Sequence, residues 1–306
     1  MTIAVLGSVN VDIVAYLERL PKAGETLAGH AYQIGLGGKG ANQAVAVHKL
    51  SGDVRFIARI GADLFGGMAS TALAAAGLDL THVRRDEASS TGIALINVAS
   101  NGENNISLIS GANFAVDHTD IAAAGAVLGS AKILLLQLEV PLKASLGAAR
   151  IVRAAGGMVI LDPAPAPTGP FDREVAELAN IITPNETETE SLLGWRPETP
   201  EEGARAATVL RGRGFAITLV KLGSRGVAYS SPAGEGFVPP FKVEAIDTVA
   251  AGDCFNAGLA SALAEGQNLA GAVRFAAACG ALSTTKKGAS AAAPTRAEVD
   301  AFLARA

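Results

Sequence analysis

The chain of 306 residues is 49 % hydrophobic and carries 25 Lys and Arg against 29 Asp and Glu, a formal net charge of −4. A chain of this size buries one large core. Its apolar content excludes a disordered polymer, and the lack of a basic block argues against nucleic acid as the main partner.

Two cysteines, Cys254 and Cys279, suit a reducing compartment rather than a disulfide framework. The opening MTIAVLGSVNVD has no basic start and reads as a first strand, not a signal peptide. Apolar runs such as 133–138 are far too short to span a bilayer. The expectation is a soluble, cytoplasmic α/β enzyme with no membrane partner.

The first strand, 3–6, runs into Gly-Ser-Val-Asn-Val-Asp at 7–12. In parallel sheets ligands sit beyond the carboxyl ends of strands. Asn10 and Asp12 share a side if the chain stays extended, and an amide with a carboxylate suits hydroxyl recognition. A solvated turn reads the same way.

Residues 11–34 hold a turn at 21–24 and no long helix. Then comes GLGGKGAN at 35–42. It is not a Walker A loop, because Lys39 is followed by Gly40, and it lacks dinucleotide spacing. What remains is a glycine turn, open to a ligand or merely a turn, before a helix from Ala41, with Lys39 and Asn42 as donors.

A strand at 54–60 and a helix at 64–76 follow. Residues 91–110 read as two β runs, 92–98 and 105–109, joined by Asn101-Gly102, a strong hairpin signal. The two β segments, about 11–36 and 91–112, together predict a small sheet that lies over the main domain as a lid and excludes water when closed.

Beyond it, helices at 119–128, 142–154 and 201–213 alternate with apolar strands at 133–138, 158–161, 181–183 and 216–219. This predicts one domain over 1–306: a three-layer α/β/α fold with a mostly parallel sheet. Three helices, 252–265, 269–285 and 296–304, end the chain.

Several stretches sit at strand ends. Gln137 and Glu139 would share a face, and Asp162 either serves a site or caps the proline loop at 163–170. NETETE at 185–190 places three glutamates at a helix start, as caps or as partners of hydrated Mg²⁺. Lys221, Gly223, Ser224 and Arg225 could meet a polyphosphate, or form a charged hairpin.

DTVAAGD at 247–253 places Asp253 after three tiny residues and before a helix. Uncovered N–H groups there attract anions. The four histidines and two cysteines have no metal or triad spacing.

GGKGAN at 37–42, GANF at 111–114, QLE at 137–139, NETE at 185–188, LGSRG at 222–226 and DTVAAGD together resemble the PfkB-type carbohydrate kinases, the ribokinase family of sugar kinases, over essentially the whole chain. The resemblance implies ATP-dependent phosphorylation of D-ribose at its 5-hydroxyl. Asp253 would be the base, and Ala250, Ala251 and Gly252 the anion hole.

It further implies that Asn10, Asp12, Gly38, Lys39, Asn42, Glu139 and Asp253 bind the sugar. Asn185, Lys221, Leu222, Gly223, Ser224, Arg225, Gly226, Gly252 and Ala277 would bind ATP. Glu188 would hold Mg²⁺ or another divalent cation through water. Asp247, Val249, Ser283, Lys286, Gly288 and Ala292 would surround K⁺, and two chains would pair through their lids.

Lys221, Ala277 and Ala292 depart from the family's usual Thr, polar residue and Ser. Alternatives are a kinase of the same family acting on fructose, deoxyribose or a nucleoside, and a sugar-binding protein without catalysis.

Overall fold

A computed structural model describes residues 2–306. Among them, β1 (Ile3–Leu6), β4 (Val54–Gly61), β5 (Val83–Asp86), β8 (Ile133–Leu136), β9 (Met158–Leu161), β10 (Ile181–Ile182), β11 (Ile217–Lys221), β12 (Val227–Ser231) and β13 (Gly234–Val238) form one nine-stranded sheet. Its order is β13-β12-β11-β10-β9-β8-β1-β4-β5.

All pairs from β11 to β5 are parallel, while β12 and β13 add an antiparallel edge. The central strands are buried on both faces, as their unbroken apolarity demands. The antiparallel edge and β5 escape the sequence reading because polar residues interrupt them.

Helices cover both faces. On one side, α1 (Lys39–Ser51), α2 (Leu64–Ala75), α9 (Ala251–Ala264), α10 (Leu269–Ser283) and α11 (Arg296–Leu303) share a core with Ile3, Val5 and Leu135. On the other, α3 (His118–Ala123), α4 (Gly125–Ser130), α5 (Leu142–Ala154), α6 (Arg173–Leu178), α7 (Glu186–Leu193) and α8 (Pro200–Gly212) lie over Ala4, Leu6 and Leu134. Neighbours in β1 thus alternate between the two cores.

The single helix expected at 119–128 is two. It breaks at Ala124, before Gly125, a poor helix former.

The second sheet, of order β3-β2-β6-β7, contains β2 (Asn10–Leu17), β3 (Ala31–Gly37), β6 (Gly92–Ala99) and β7 (Asn104–Ile109). Both predicted β segments enter it, and Gly102 takes a positive φ of 87° in the β6–β7 hairpin. Register aligns Ile13 with Ile34 and Leu95, and Asp12 with Gly35 and Ala94. Large apolar side chains remain exposed here, among them Tyr32, Ile34, Leu95, Ile106 and Leu108.

The glycine turn before α1 packs chiefly against the protein itself. A β-carbon on Gly38, at φ 90°, would meet Asn10 N at 2.8 Å and Ser8 O at 2.9 Å. One on Gly40 would meet Gly7 C and Ser8 N, both at 2.4 Å. The helix accordingly starts at Lys39, not Ala41, with its first turn pressed on the β1–β2 connection. Gly40→Ala is expected to destabilise the fold by at least about 1–3 kcal/mol, read as a lower urea midpoint at unchanged m-value.

Candidate active site

The parallel sheet changes direction at β1, which has β8 on one side and β4 on the other. Such a switch opens a crevice at the strands' carboxyl ends. Four segments meet there: the β1–β2 connection, the first turn of α1, the chain after β8, and the start of α9.

Asp253 lies in the first turn of α9 and is 4 % exposed. Asn42 Nδ2 donates to its Oδ2 at 3.0 Å, and Gln43 Nε2 to its Oδ1 at 3.1 Å. Burial pushes this carboxyl up to about 6; Lys39 pulls it down, Asp162 pushes it up, and the two amides lower it. Burial also disfavours the Lys39 ammonium, yet Asp253, Asp162, Glu139 and Glu188 together hold it above the usual lysine range. A positive charge therefore faces Asp253 from the side of α1.

The tiny residues before Asp253 form a tight turn. Ala250 caps α9 at φ 60°, ψ 12°, a left-handed conformation that a side chain beyond Cβ would burden further. Asp247 shapes this turn: Oδ1 accepts from Val249 N and Oδ2 from Gly288 N, both at 3.0 Å. Ile246 N and Asp247 N both donate to Thr284 O, at 2.7 and 3.1 Å.

The segments 246–249 and 284–288 are thereby brought side by side. Ser283 caps its own turn through Gly280 O, while Lys286 turns its ammonium away to Glu298. Ala292 is buried in a short 3-10 turn.

The sugar candidates converge. Glu139 Oε2 accepts from Ser8 Oγ at 2.5 Å and from Lys39 N at 3.0 Å. Asn10 is buried, and its Oδ1 accepts from Asn113 Nδ2 at 2.8 Å. Asp12, raised to about 6 by burial and by Glu139, stands one residue pair away on β2. Asn42 Oδ1 is buried without a hydrogen-bond partner, an acceptor suited to a ligand hydroxyl.

Gln137 and Glu139 both reach the first turn of α1, Gln137 buried and Glu139 half-buried. β8 ends at Leu136, Leu138 N turns to Ala164 O, and Gln137 points inward to donate to Gln43 Oε1 at 2.6 Å.

On the far side of Asp253 lie the other candidates. Lys221 ends β11, and the 222–226 stretch makes the turn into β12: the hairpin reading was correct in shape. Leu222 is buried, Gly223, Ser224 and Arg225 are exposed, and Gly226 packs against Phe237. Arg225 pairs with Glu186 at 2.8 Å.

Asn185 caps α7 and forms a capping box with Glu188, so helix capping holds as well. Burial pushes Glu188 up to about 7 against the pull of Lys221. Ala277 is half-buried on α10. Among the described residues no three His, Cys, Asp or Glu side chains gather to hold a metal directly.

The pfkB family of carbohydrate kinases matches residues 2–296. The chain belongs to this family. It is 42 % identical over 305 residues to a ribokinase of Haemophilus influenzae, covering 100 % of this chain and 99 % of that one. It is 36 % identical over 303 residues to a deoxyribokinase of Salmonella typhi, covering 99 % of each. A structure of Arabidopsis thaliana ribokinase complexed with ribose and ATP superposes with TM-score 0.90 at 35 % identity, covering 99 % of this chain and 98 % of that one.

Several residues around Asp253 escape the sequence reading. Gln43 touches Asp253, Asp162 and Gln137 together. Asn113 holds both Val9 and Asn10. Lys49, in the last turn of α1, donates to the carbonyls of Ser290, Ala291 and Ala293 and so pins the loop beyond Gly288. Asn113 lies inside the motif GANF and Gln43 directly follows GGKGAN, a signal that was available.

A proton acceptor at Asp253 would have to be ionised, so kcat/KM is expected to fall about tenfold per pH unit below about 6 and to level off above it. Asp12 titrates in the same range and steepens the loss. Lys39→Met removes the strongest downward pull on Asp253, so the acid limb should move to higher pH in that variant's profile.

Proposed function

We propose that this chain is an ATP-dependent sugar kinase that transfers the terminal phosphoryl group to the 5-hydroxyl of D-ribose. The observation that carries the reading is the position of Asp253. It sits at the first turn of α9, within hydrogen-bond reach of Asn42, on the same side as the converging sugar candidates. The names of the relatives favour ribose over the other pentose.

In this reading Asn10, Asp12, Gly38, Lys39, Asn42 and Glu139 bind the sugar hydroxyls. Asp253 accepts the proton of the attacking hydroxyl and aims its lone pair. Phosphoryl transfer otherwise needs positioning and charge stabilisation. The N–H groups of Ala250, Ala251 and Gly252 at the helix start supply that stabilisation for the moving phosphoryl oxygens. Asn185, Lys221–Gly226, Gly252 and Ala277 line the nucleotide side.

A divalent cation such as Mg²⁺ fits a water-held position near Glu188, since buried carboxylates lie there without forming a direct ligand cluster. It would offset the charge of the nucleotide phosphates. The apposed segments 246–249 and 283–288 suit K⁺: Asp247 with the oxygens of Val249, Ser283, Lys286 and Gly288, and Ala292 behind them. Occupancy there would stiffen the turn that presents Ala250–Gly252.

The small sheet acts as the lid. Its exposed apolar residues and an open hollow of about 640 Å³ lined by Ala15, His30, Tyr32 and Asn97 support pairing of two lids in a homodimer. No helix among the described residues is long and apolar enough to cross a membrane; a cytoplasmic site of action accords with the two buried free cysteines.

ADP release with D-ribose, 2-deoxyribose, fructose and nucleosides, each with and without K⁺, tests the reading. D-ribose with K⁺ should give the highest kcat/KM; ADP release with none of them, despite ribose binding, would leave a sugar-binding protein. Asp253→Asn should keep ribose binding and lose on the order of 10²–10⁴ in kcat. Sedimentation should find a particle of two chains.

A further inference from the structure

Two lysines approach the base, and only Lys39 belongs to the sugar candidates. Lys221 Nζ stands 3.0 Å from Asp162 Oδ1, and the two side chains are 12 % and 3 % exposed. The other oxygen of Asp162 accepts from Gln43 Nε2 at 3.2 Å, and the same nitrogen donates to Asp253 Oδ1. Ammonium, carboxylate, amide and base therefore form one continuous chain.

On its other side Lys221 borders the start of α9. A methyl group on Gly252 would meet Nζ at 3.5 Å, and Nζ lies 6.0 Å from the ring centre of Phe255. The carboxyls of Glu188 and Asp162 both act electrostatically in this corner, where Lys221 and Lys39 are the balancing cations. Arg225, the other cation of the 222–226 turn, is already tied to Glu186 at the surface.

A lysine parked on a buried carboxylate, with the anion turn beside it, has two alternative partners. Its compact head can swivel between them, because three donors rotate about one bond. We propose that Lys221 is the group that distinguishes a nucleoside triphosphate from a diphosphate. Its ammonium, paired with Asp162, passes to the terminal phosphoryl group when the triphosphate binds. Asp162 is then held by Gln43 and balanced by Lys39. The inference rests on the kinase reading above and gives the 221–226 turn its specificity.

The test is equilibrium binding of ADP and of a non-hydrolysable ATP analogue, without sugar, to four proteins: wild type, Lys221→Met, Asp162→Asn and the double variant. Wild type should prefer the triphosphate. Lys221→Met should lose that preference by on the order of tenfold to a hundredfold, the weight of a charge-assisted bond to phosphate, with ADP affinity kept within about twofold.

Asp162→Asn should raise triphosphate affinity more than diphosphate affinity, because the ammonium no longer has to leave a carboxylate, and this difference should vanish when Lys221 is also Met; loss of a negative charge alone would act in both backgrounds. The double variant removes both charges, so it should melt close to wild type while still lacking the preference. An unchanged triphosphate-to-diphosphate ratio in Lys221→Met and in the double variant would overturn the role of Lys221. A wild-type chain that binds neither nucleotide would instead overturn the kinase reading itself.

Discussion

Asp253 is nearly free of solvent, and an unpaired carboxylate in such a place would be protonated or driven out. Two amides from adjacent residues of α1, Asn42 and Gln43, donate one bond to each of its oxygens. The ammonium of Lys39, from the same turn, adds the opposing charge. The placement of Asp253 therefore depends on α1 and α9 meeting at one distance and one rotation. Both helices put small buried side chains into the same core, among them Ala41, Ala44, Ala257 and Ala260.

That helix pair is itself held at both ends. At its start, α1 is pressed onto the β1–β2 connection by glycines that admit no side chain. At its end, Lys49 fills a set of three carbonyls in the 290–293 segment. This segment follows Gly288, whose N–H fixes Asp247 and, through it, the left-handed Ala250 that opens α9. The sugar side and the anion turn are thus two ends of one connected framework. A shift in either would misplace the reacting groups relative to each other, and transfer depends steeply on such alignment.

The site lies where the strand order reverses, at the carboxyl ends of the strands. The second sheet extends from this crevice, because β2 follows β1 after three residues and carries Asn10 and Asp12 with it. The same strand that contributes hydroxyl-binding candidates is therefore part of the lid. A sheet with exposed apolar side chains, Ile34 and Leu95 in one cross-strand row and Ile106 and Leu108 on β7 in the rows to either side of it, is poorly satisfied in water by itself.

Periodicity and local chemistry made much of this legible in the one-dimensional chain. Apolar runs of strand length separated by helical stretches specify a covered parallel sheet, because only such a sheet buries a strand on both faces. Asn-Gly specifies a hairpin, and tiny residues before an acidic helix start specify an anion turn. Those properties reside in neighbouring residues, and neighbours are what a sequence displays. Polar edge strands such as β5 and β13 lack that regularity and stayed hidden.

Tertiary structure alone decided which polar groups meet. Gln43 finds Asp253 across 210 residues, Asn42 finds it across 211, and Lys221 finds Asp162 across 59. It also gave Gln137 and Glu139 different partners on the first turn of α1, Gln43 for one and the Lys39 N–H for the other. The physical reason is that hydrogen bonds and ion pairs act over about 3 Å, while the order of residues carries no distance between strands that the fold brings together.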